Sequence, residues 1–238
     1  MRNQFNAFID DLRTTHGRNL ASVILYGSAA TDDVAPKKSD CEILIALHEI
    51  RPEDLRNAHA ALREWHRMGN PTPVYFTVSE LQNACDVFPI EFSQMEAARK
   101  VLYGTDVLAG LEFSQQNLRH ETEFELRSNL IRLRRQYIAA STSVDGLMKL
   151  MADSLTGFAT VFRAVLMLHG VNPPSNKHAV VTSTAQHLKI DGTPFEKIFK
   201  IRENNFTEKL DETTANQLFG DYMEQVENVI DAVDSIGK

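Results

Sequence analysis

The pattern of hydrophobic and polar positions changes near residue 110. Before that point, short apolar runs bounded by turn residues alternate with helical stretches. After it, nearly all apolar residues recur at the 3–4 spacing of an amphipathic helix. The pattern predicts an α+β domain with one small mixed sheet over residues 1–110, followed by an all-α helical bundle domain over residues 111–238.

The first domain contains short runs that predict strands, because they are rich in branched or aromatic residues and end at turn signals. These runs are Leu20–Tyr26, 41–47, 74–78 and 87–92. Helical spacing or capping residues predict helices around them. The predicted helices are residues 1–14, residues 52–66 and a short helix capped by Ser79.

Two apolar stripes at helical spacing characterise the second domain. The first is Leu126, Leu130, Leu133 and Tyr137; the second is Tyr222, Val226, Val229, Val233 and Ile236. Breaks at residues 139–145, 170–175 and 191–194 divide the domain into four or five helices. Between the first stripe's positions lie Arg127, Arg132, Arg134 and Arg135, which form either a solvated helix face or a contact to a triphosphate.

Composition narrows the class of protein. With 43% hydrophobic and 24% charged residues, the chain is typical of globular domains, and its net charge of −7 disfavours nucleic acid as a partner. Two cysteines without a Cys/His cluster indicate neither a disulfide framework nor a zinc site. The longest apolar run is five residues, and the first residues lack a signal-like apolar segment, so we expect a cytoplasmic protein without a membrane partner.

The segment from residue 24 to residue 45 carries the candidate chemistry. An apolar strand ends in Gly27-Ser28, and after eleven intervening residues Asp40-Cys41-Glu42 opens the next apolar strand. Because side chains alternate across a strand, Asp40 and Glu42 should share one side while Cys41 enters the opposite layer. Two neighbouring carboxylates repel each other, and a divalent cation removes that repulsion. The spacing therefore predicts a metal site; the alternative is two solvent-facing acids after a capped turn.

Gly27 and Ser28 supply the complementary half of a phosphate-transfer site. A glycine lets the backbone approach a ligand, and a helix that begins at Ser28 would direct N–H groups at an anion. Phosphates beside a carboxylate-bound metal are what phosphoryl or nucleotidyl transfer requires.

The motif Gly27-Ser28, eleven residues, Asp40-Cys41-Glu42 resembles the nucleotidyltransferase superfamily of the DNA polymerase beta type. The chain is similar in layout to kanamycin and streptomycin nucleotidyltransferases, in which such a domain precedes a helical one. The resemblance implies Mg²⁺ or Mn²⁺ at Asp40, Glu42 and a third carboxylate on a later strand. Glu91 is the best-placed candidate and Asp86 the second, and residues 101–106 match the family's edge strand.

The resemblance also implies a triphosphate at Gly27 and Ser28. The family often has Arg and Gly soon after Gly-Ser, whereas this chain has acids at Asp32 and Asp33. Lys37 or Lys38 would then supply the positive contact.

The function implied is transfer of a nucleoside monophosphate from an NTP, such as ATP, to a hydroxyl of an aminoglycoside-like small molecule or of a protein. The acceptor and the oligomeric state are left open. The alternative is a catalytically degenerate protein that keeps the fold and senses nucleotide or binds a partner.

Overall fold

The computed structural model describes residues 2–30, 41–174, 176–207 and 210–237. The chain divides into two compact units, Met1–Ser114 and Gln115–Lys238. The first is an α+β unit and the second is helical, so the predicted fold class is confirmed.

A four-stranded mixed sheet organises the first unit. Its strands are β1 (Leu20–Tyr26), β2 (Glu42–Leu47), β3 (Val74–Thr77) and β4 (Arg99–Gly104). The spatial order is β3-β2-β1-β4, with β1 antiparallel to β2 and β4, and β2 parallel to β3. The helices of the unit are α1 (Arg2–His16), α2 (Pro52–Asn57), α3 (His59–Arg67), α4 (Val78–Asn83) and α5 (Pro89–Ala97).

Each face of the sheet has its own core, because successive side chains of a strand point to opposite faces. On one face Ile43 and Ile45 pack with Leu12 of α1 and Trp65 of α3. On the other face Leu44, Ala46 and Ile24 pack with Leu81 of α4 and with Phe92 and Met95 of α5. β1 and β2 are therefore buried on both sides, which explains their nearly continuous apolar runs.

The strand predicted over residues 87–92 is wrong, because this segment enters α5. Pro89 occupies the first turn of the helix, where its fixed φ is favourable and its missing N–H costs nothing. Ile90, Phe92 and Met95 are buried, whereas Val87 and Phe88 are exposed. A short run of β-favouring residues thus marks a half-buried helix rather than a strand.

Two helix boundaries also differ from the sequence prediction. The helix expected over residues 52–66 is two helices that meet at Ala58. The short helix α4 is capped by Thr77 and not by Ser79: Glu80 N–H donates to Thr77 Oγ1 at 3.0 Å, and Thr77 N–H donates to Glu80 Oε2 at 2.7 Å. This reciprocal capping box satisfies two backbone donors that the helix start leaves unpaired.

Five helices form the described part of the second unit. They are α6 (Gln115–Ala140), α7 (Val144–Leu168), α8 (Lys177–Leu188), α9 (Thr193–Arg202) and α10 (Glu212–Asp234). Leu126, Leu130 and Leu133 are buried as predicted, and so are Tyr222 and Val226.

The four arginines predicted on the face of α6 are exposed: Arg127, Arg132, Arg134 and Arg135. Arg127 Nε contacts Glu123 Oε1 at 2.8 Å, and Arg134 Nη2 contacts Glu227 Oε1 of α10 at 2.6 Å. These contacts fit the interpretation of a solvated, ion-paired helix face.

Helix α7 is long and apolar enough, by length and composition alone, to cross a membrane. It contacts the four other helices described in this unit, which bury side chains along its whole length, among them Leu147, Leu155 and Phe162. Its apolar composition is therefore accounted for by its place at the centre of the helical core.

Candidate active site

The end of β1 and the start of β2 bring Gly27 and Glu42 together. Tyr26 and Glu42 are cross-strand partners, and Gly27 follows Tyr26 at the start of a 3-10 turn, Gly27–Ala30. Gly27 has a φ of +74°, which only glycine adopts without strain. A Cβ built on Gly27 would lie 2.5 Å from Glu42 Oε2, so the carboxylate occupies the space that a side chain would need.

The far side of β1 fixes the position of Gly27. Its N–H donates to the carbonyl oxygen of Ala98 at 2.9 Å, at the junction between α5 and β4. Next to it, Arg99 is the cross-strand partner of Tyr26, and its Nε lies 3.1 and 3.0 Å from the two carboxylate oxygens of Asp106. Arg99 also donates to the carbonyl of Glu96. The turn at Gly27 is thus held by a hydrogen bond to the residue that joins α5 to β4, and Arg99 ties this junction to Asp106 and Glu96.

Tyr26 and Glu42 share one face of the sheet and influence each other electrostatically. Burial, and secondly the charge of Glu42, raise the pKa of Tyr26 to about 12. The phenol therefore stays neutral at physiological pH and keeps its O–H. Tyr26 is a site residue that the sequence pattern did not indicate, although it directly precedes Gly27.

The alternation predicted around Cys41 is confirmed for the two described residues. Cys41 is 7% exposed and packs in the core that contains Ile43 and Trp65, whereas Glu42 is exposed on the opposite face. Asp40, Lys37 and Lys38 lie outside the described residues, as do Asp32 and Asp33. Ser28 lies in the turn after Gly27.

Glu91, the candidate third carboxylate, does not lie on a strand. It is exposed in the first turn of α5, whose Phe92 and Met95 pack on the same face of the sheet as Glu42. Asp86 is exposed in the turn between α4 and α5. The two later strands, β3 and β4, have the sequences VYFT and RKVLYG and carry no acid. Neither later strand of the described structure therefore carries the expected third carboxylate, and Glu91 stays a predicted ligand at its position on a helix.

Carboxylate oxygens are the donors that Mg²⁺ prefers, and Glu42 presents one at the start of β2. Among residues 2–30, 41–174, 176–207 and 210–237, no group of three or more His, Cys, Asp or Glu side chains is arranged to hold a metal ion. Glu42 thus fits as one ligand, and Asp40 remains the predicted second.

Among the comparisons with known proteins, the one between structures identifies a similar fold. No protein-family model matches the chain, and no curated protein does. A similar solved structure is that of spectinomycin adenyltransferase AAD(9) from Enterococcus faecialis with ATP and spectinomycin, at 13% identity and a TM-score of 0.58. The similarity covers 96% of this chain and 98% of that one. The chain therefore has a nucleotidyltransferase-like fold along nearly its full length.

Proposed function

We propose that this protein is a magnesium-dependent nucleotidyltransferase that moves a nucleoside monophosphate from an NTP to a hydroxyl of an aminoglycoside-like small molecule or of a protein. The observation that carries the proposal is the contact between Gly27 and the Glu42 carboxylate, where β1 ends beside the start of β2. In a nucleotidyltransferase-like fold, this places a backbone without a side chain beside an acid. A phosphate could approach that backbone closely, and the carboxylate would hold a cation whose charge offsets that of the phosphate.

Each candidate residue has a role in this proposal. Asp40 and Glu42 would hold Mg²⁺ or Mn²⁺, and Glu91 is the proposed third ligand or the acceptor of the hydroxyl proton. The metal, when bound, neutralises charge that develops on the leaving group and the attacking oxygen. The backbone of Gly27 and Ser28 would contact the triphosphate, and Lys37 or Lys38 would add positive charge.

In the reaction, the acceptor hydroxyl oxygen forms a bond to the α-phosphorus of the NTP, and the bond from that phosphorus to pyrophosphate breaks. The hydroxyl proton leaves to a carboxylate or to solvent. Tyr26 keeps its own proton, because its pKa is raised to about 12, so we assign it no role as a base. An overall charge of −7 favours a cationic acceptor over an anionic one.

A second candidate function is favoured by the strand sequences. Because β3 and β4 carry no acid and Glu91 is exposed on a helix, the described residues lack a third carboxylate on the strands beside Glu42. A chain that has lost this ligand could still bind nucleotide and act as a nucleotide sensor or partner-binding protein.

Pyrophosphate release distinguishes the two functions. The wild-type protein is incubated with each of the four NTPs, Mg²⁺ and a panel of acceptors that includes spectinomycin and other aminoglycosides. Glu42→Gln removes the carboxylate charge, and Glu112→Gln is the matched control, since Glu112 is an exposed acid of the same unit. An enzyme releases pyrophosphate with one NTP and loses at least about 100-fold of that rate in Glu42→Gln alone. Nucleotide binding without pyrophosphate release for any acceptor supports the sensor.

A further inference from the structure

Helix α6 carries a line of large apolar side chains that the described structure leaves uncovered. Phe124, Ile131 and Ile138 are 66%, 57% and 76% exposed. They are seven residues apart, which is close to two helical turns, so they lie in one line along the helix. We call these three residues the α6 stripe. The opposite side of the same helix is buried through Leu126, Leu130 and Leu133. The stripe therefore does not contribute to the core of its own unit.

The charged residues of α6 are ordered along the helix. Its acids, Glu121, Glu123 and Glu125, all lie in the N-terminal half. Its C-terminal half carries Arg132, Arg134 and Arg135 and no acid. Arg119 and Arg127 also lie in the N-terminal half, and both pair with Glu123. Outside this cluster the charges are negative before Ser128, at Glu121 and Glu125, and positive after it.

Glu121, Glu125 and Arg132 lie along one flank of the α6 stripe. Their spacings of four and eleven residues keep side chains on the same side of a helix. Arg135 lies between this flank and the stripe itself. In the described part of the chain, no ion pair involves Glu125, Arg132 or Arg135.

We propose that the α6 stripe is a homodimer interface, in which α6 of a second copy of this chain packs antiparallel with the two-fold axis at Ser128. A two-fold interface brings the same patch of both copies together and must be complementary to itself. Phe124 lies four residues before Ser128 and Ile131 three residues after it. Phe124 of each copy therefore meets Ile131 of the other, and the small Ser128 lets the two helices approach at the axis.

The same pairing matches opposite charges. Glu121 and Arg135 are each seven residues from Ser128, so each Glu121 faces Arg135 of the other copy. Glu125 faces Arg132 in the same way, because an antiparallel two-fold places identical flanks side by side. An apolar centre with a charged rim is the usual anatomy of a protein interface.

Two alternatives fit this surface less well. In a parallel pair of α6 helices, acids would face acids and arginines would face arginines, which is destabilising. An unrelated acidic or basic partner would match only one half of the helix. The antiparallel copy overlaps the whole 26-residue helix, a length of about 39 Å, because the axis falls at its midpoint.

Charge reversal tests the proposal directly on the full-length protein. We expect the wild type to be a dimer by sedimentation velocity at about 10–100 µM. Glu121→Arg with Glu125→Arg replaces two acids of the N-terminal half by arginines and leaves Glu123, which pairs with Arg119 and Arg127, as the one acid of α6. Arg132→Glu with Arg135→Glu reverses two charges of the positive half. Each double variant should be monomeric alone, and an equimolar mixture of the two should dimerise again, because a positive helix then faces a negative one.

Matched controls separate this result from loss of folding. Glu53→Arg with Glu203→Arg applies the same change of charge at two exposed positions outside α6 and should leave the dimer intact. The far-UV circular dichroism of every variant should equal that of the wild type. A monomeric wild type, dimeric double variants or a mixture that stays monomeric would each overturn the proposal.

A cysteine cross-link reports the direction of the helices. Ser128→Cys places two thiols at the two-fold axis, and mild oxidation should give a covalent dimer. Ala139→Cys, near the end of α6, should give none in an antiparallel pair. The native Cys41 and Cys85 are buried and serve as an internal background. Cross-linking through Ala139→Cys would indicate parallel helices and overturn the antiparallel arrangement.

Discussion

The Glu42 carboxylate occupies the space that a side chain at Gly27 would need: a Cβ on Gly27 would lie 2.5 Å from Glu42 Oε2. The contact joins the end of one strand to the start of the next, and the two strands are held in register by the pairing of Tyr26 with Glu42. Any side chain at residue 27 must displace the carboxylate. The site therefore requires glycine at position 27, both for the positive φ of the backbone and for the room that the Glu42 carboxylate takes up.

Gly27→Ala should weaken nucleotide binding without unfolding the protein. The positive φ costs about 1–2 kcal/mol for an L-residue, and the new Cβ pushes the flexible end of Glu42 away. Gly110→Ala is the control, since Gly110 has a similar φ of +78° with nothing within 4 Å of its Cβ position. We expect at least a tenfold loss of NTP affinity by calorimetry in Gly27→Ala, with equal loss of stability in both variants. Unchanged affinity in Gly27→Ala would contradict the proposed role.

Gly104→Ala should be the more damaging glycine substitution for folding. Its Cβ would lie 2.0 Å from the backbone carbonyl oxygen of Ala21, and a backbone atom in a paired strand cannot move aside. We expect a loss of about 3 kcal/mol or more in the free energy of unfolding. Urea titration followed by the fluorescence of Trp65, the one tryptophan of the chain, measures this in the same unit. A cost equal to that of Gly110→Ala would show that β1 and β4 separate easily.

Stability of the first unit should fall on acidification through His16. This imidazole is buried, and neither ring nitrogen has a hydrogen-bond partner within the described structure. Burial lowers the pKa of His16, opposed in part by the charge of Asp54. The unfolded state, with a pKa near 6.5, then binds a proton that the folded state resists, so stability is lost as the pH falls below about 6.5.

The comparison that tests this is His16→Leu against His59→Leu, an exposed histidine of α3. Trp65 fluorescence in urea at pH 7.5 and 5.5 should show a smaller loss of stability on acidification in His16→Leu than in the wild type. The His59→Leu variant should follow the wild type. Equal pH dependence in all three proteins would rule out His16 as the source.

Tyr222→Phe should destabilise the helical unit modestly. The Tyr222 hydroxyl is buried and lies 3.0 Å from Ser154 Oγ, which also donates to the Met151 carbonyl at 3.1 Å. Removing the hydroxyl leaves Ser154 with one partner, so we expect a loss of about 0.5–1.5 kcal/mol by denaturation followed by circular dichroism. In Ser154→Ala, Tyr222→Phe should cost less than it does in the wild type. Independent, additive losses would exclude the pair as a coupled hydrogen bond.

The sequence predicts those parts of the fold in which a buried face produces a regular spacing of apolar residues along the chain. β1 was predicted with its observed bounds because both its faces are buried, and the stripes of α6 and α10 follow from one buried face each. Residues 87–92 mislead because four of the six favour a strand, namely Val87, Phe88, Ile90 and Phe92, and such a short run fits a strand as well as a helix. The deciding feature is Pro89 in the first turn of α5.

Some residues of the candidate site can likewise be predicted from local sequence patterns, and others cannot. Gly27 and Glu42 follow from motif spacing and strand alternation, which are local. Arg99 and the Ala98 carbonyl reach Gly27 and Tyr26 only because β4 pairs with β1, a contact between distant parts of the chain that no local pattern contains. The position of Glu91 on a helix could not be foreseen for the same reason that α5 was missed.

The most direct test of the nucleotidyltransferase proposal is thermal denaturation of the full chain with each of four non-hydrolysable NTPs, with and without Mg²⁺. At about 100 times its dissociation constant, a bound nucleotide should stabilise the wild type by about 2.7 kcal/mol. We predict that one NTP does so only with Mg²⁺, and that Asp40→Asn with Glu42→Gln loses this dependence while Glu112→Gln keeps it. If no NTP stabilises the wild type under any metal condition, the proposed nucleotide site at Gly27 and Glu42 is contradicted.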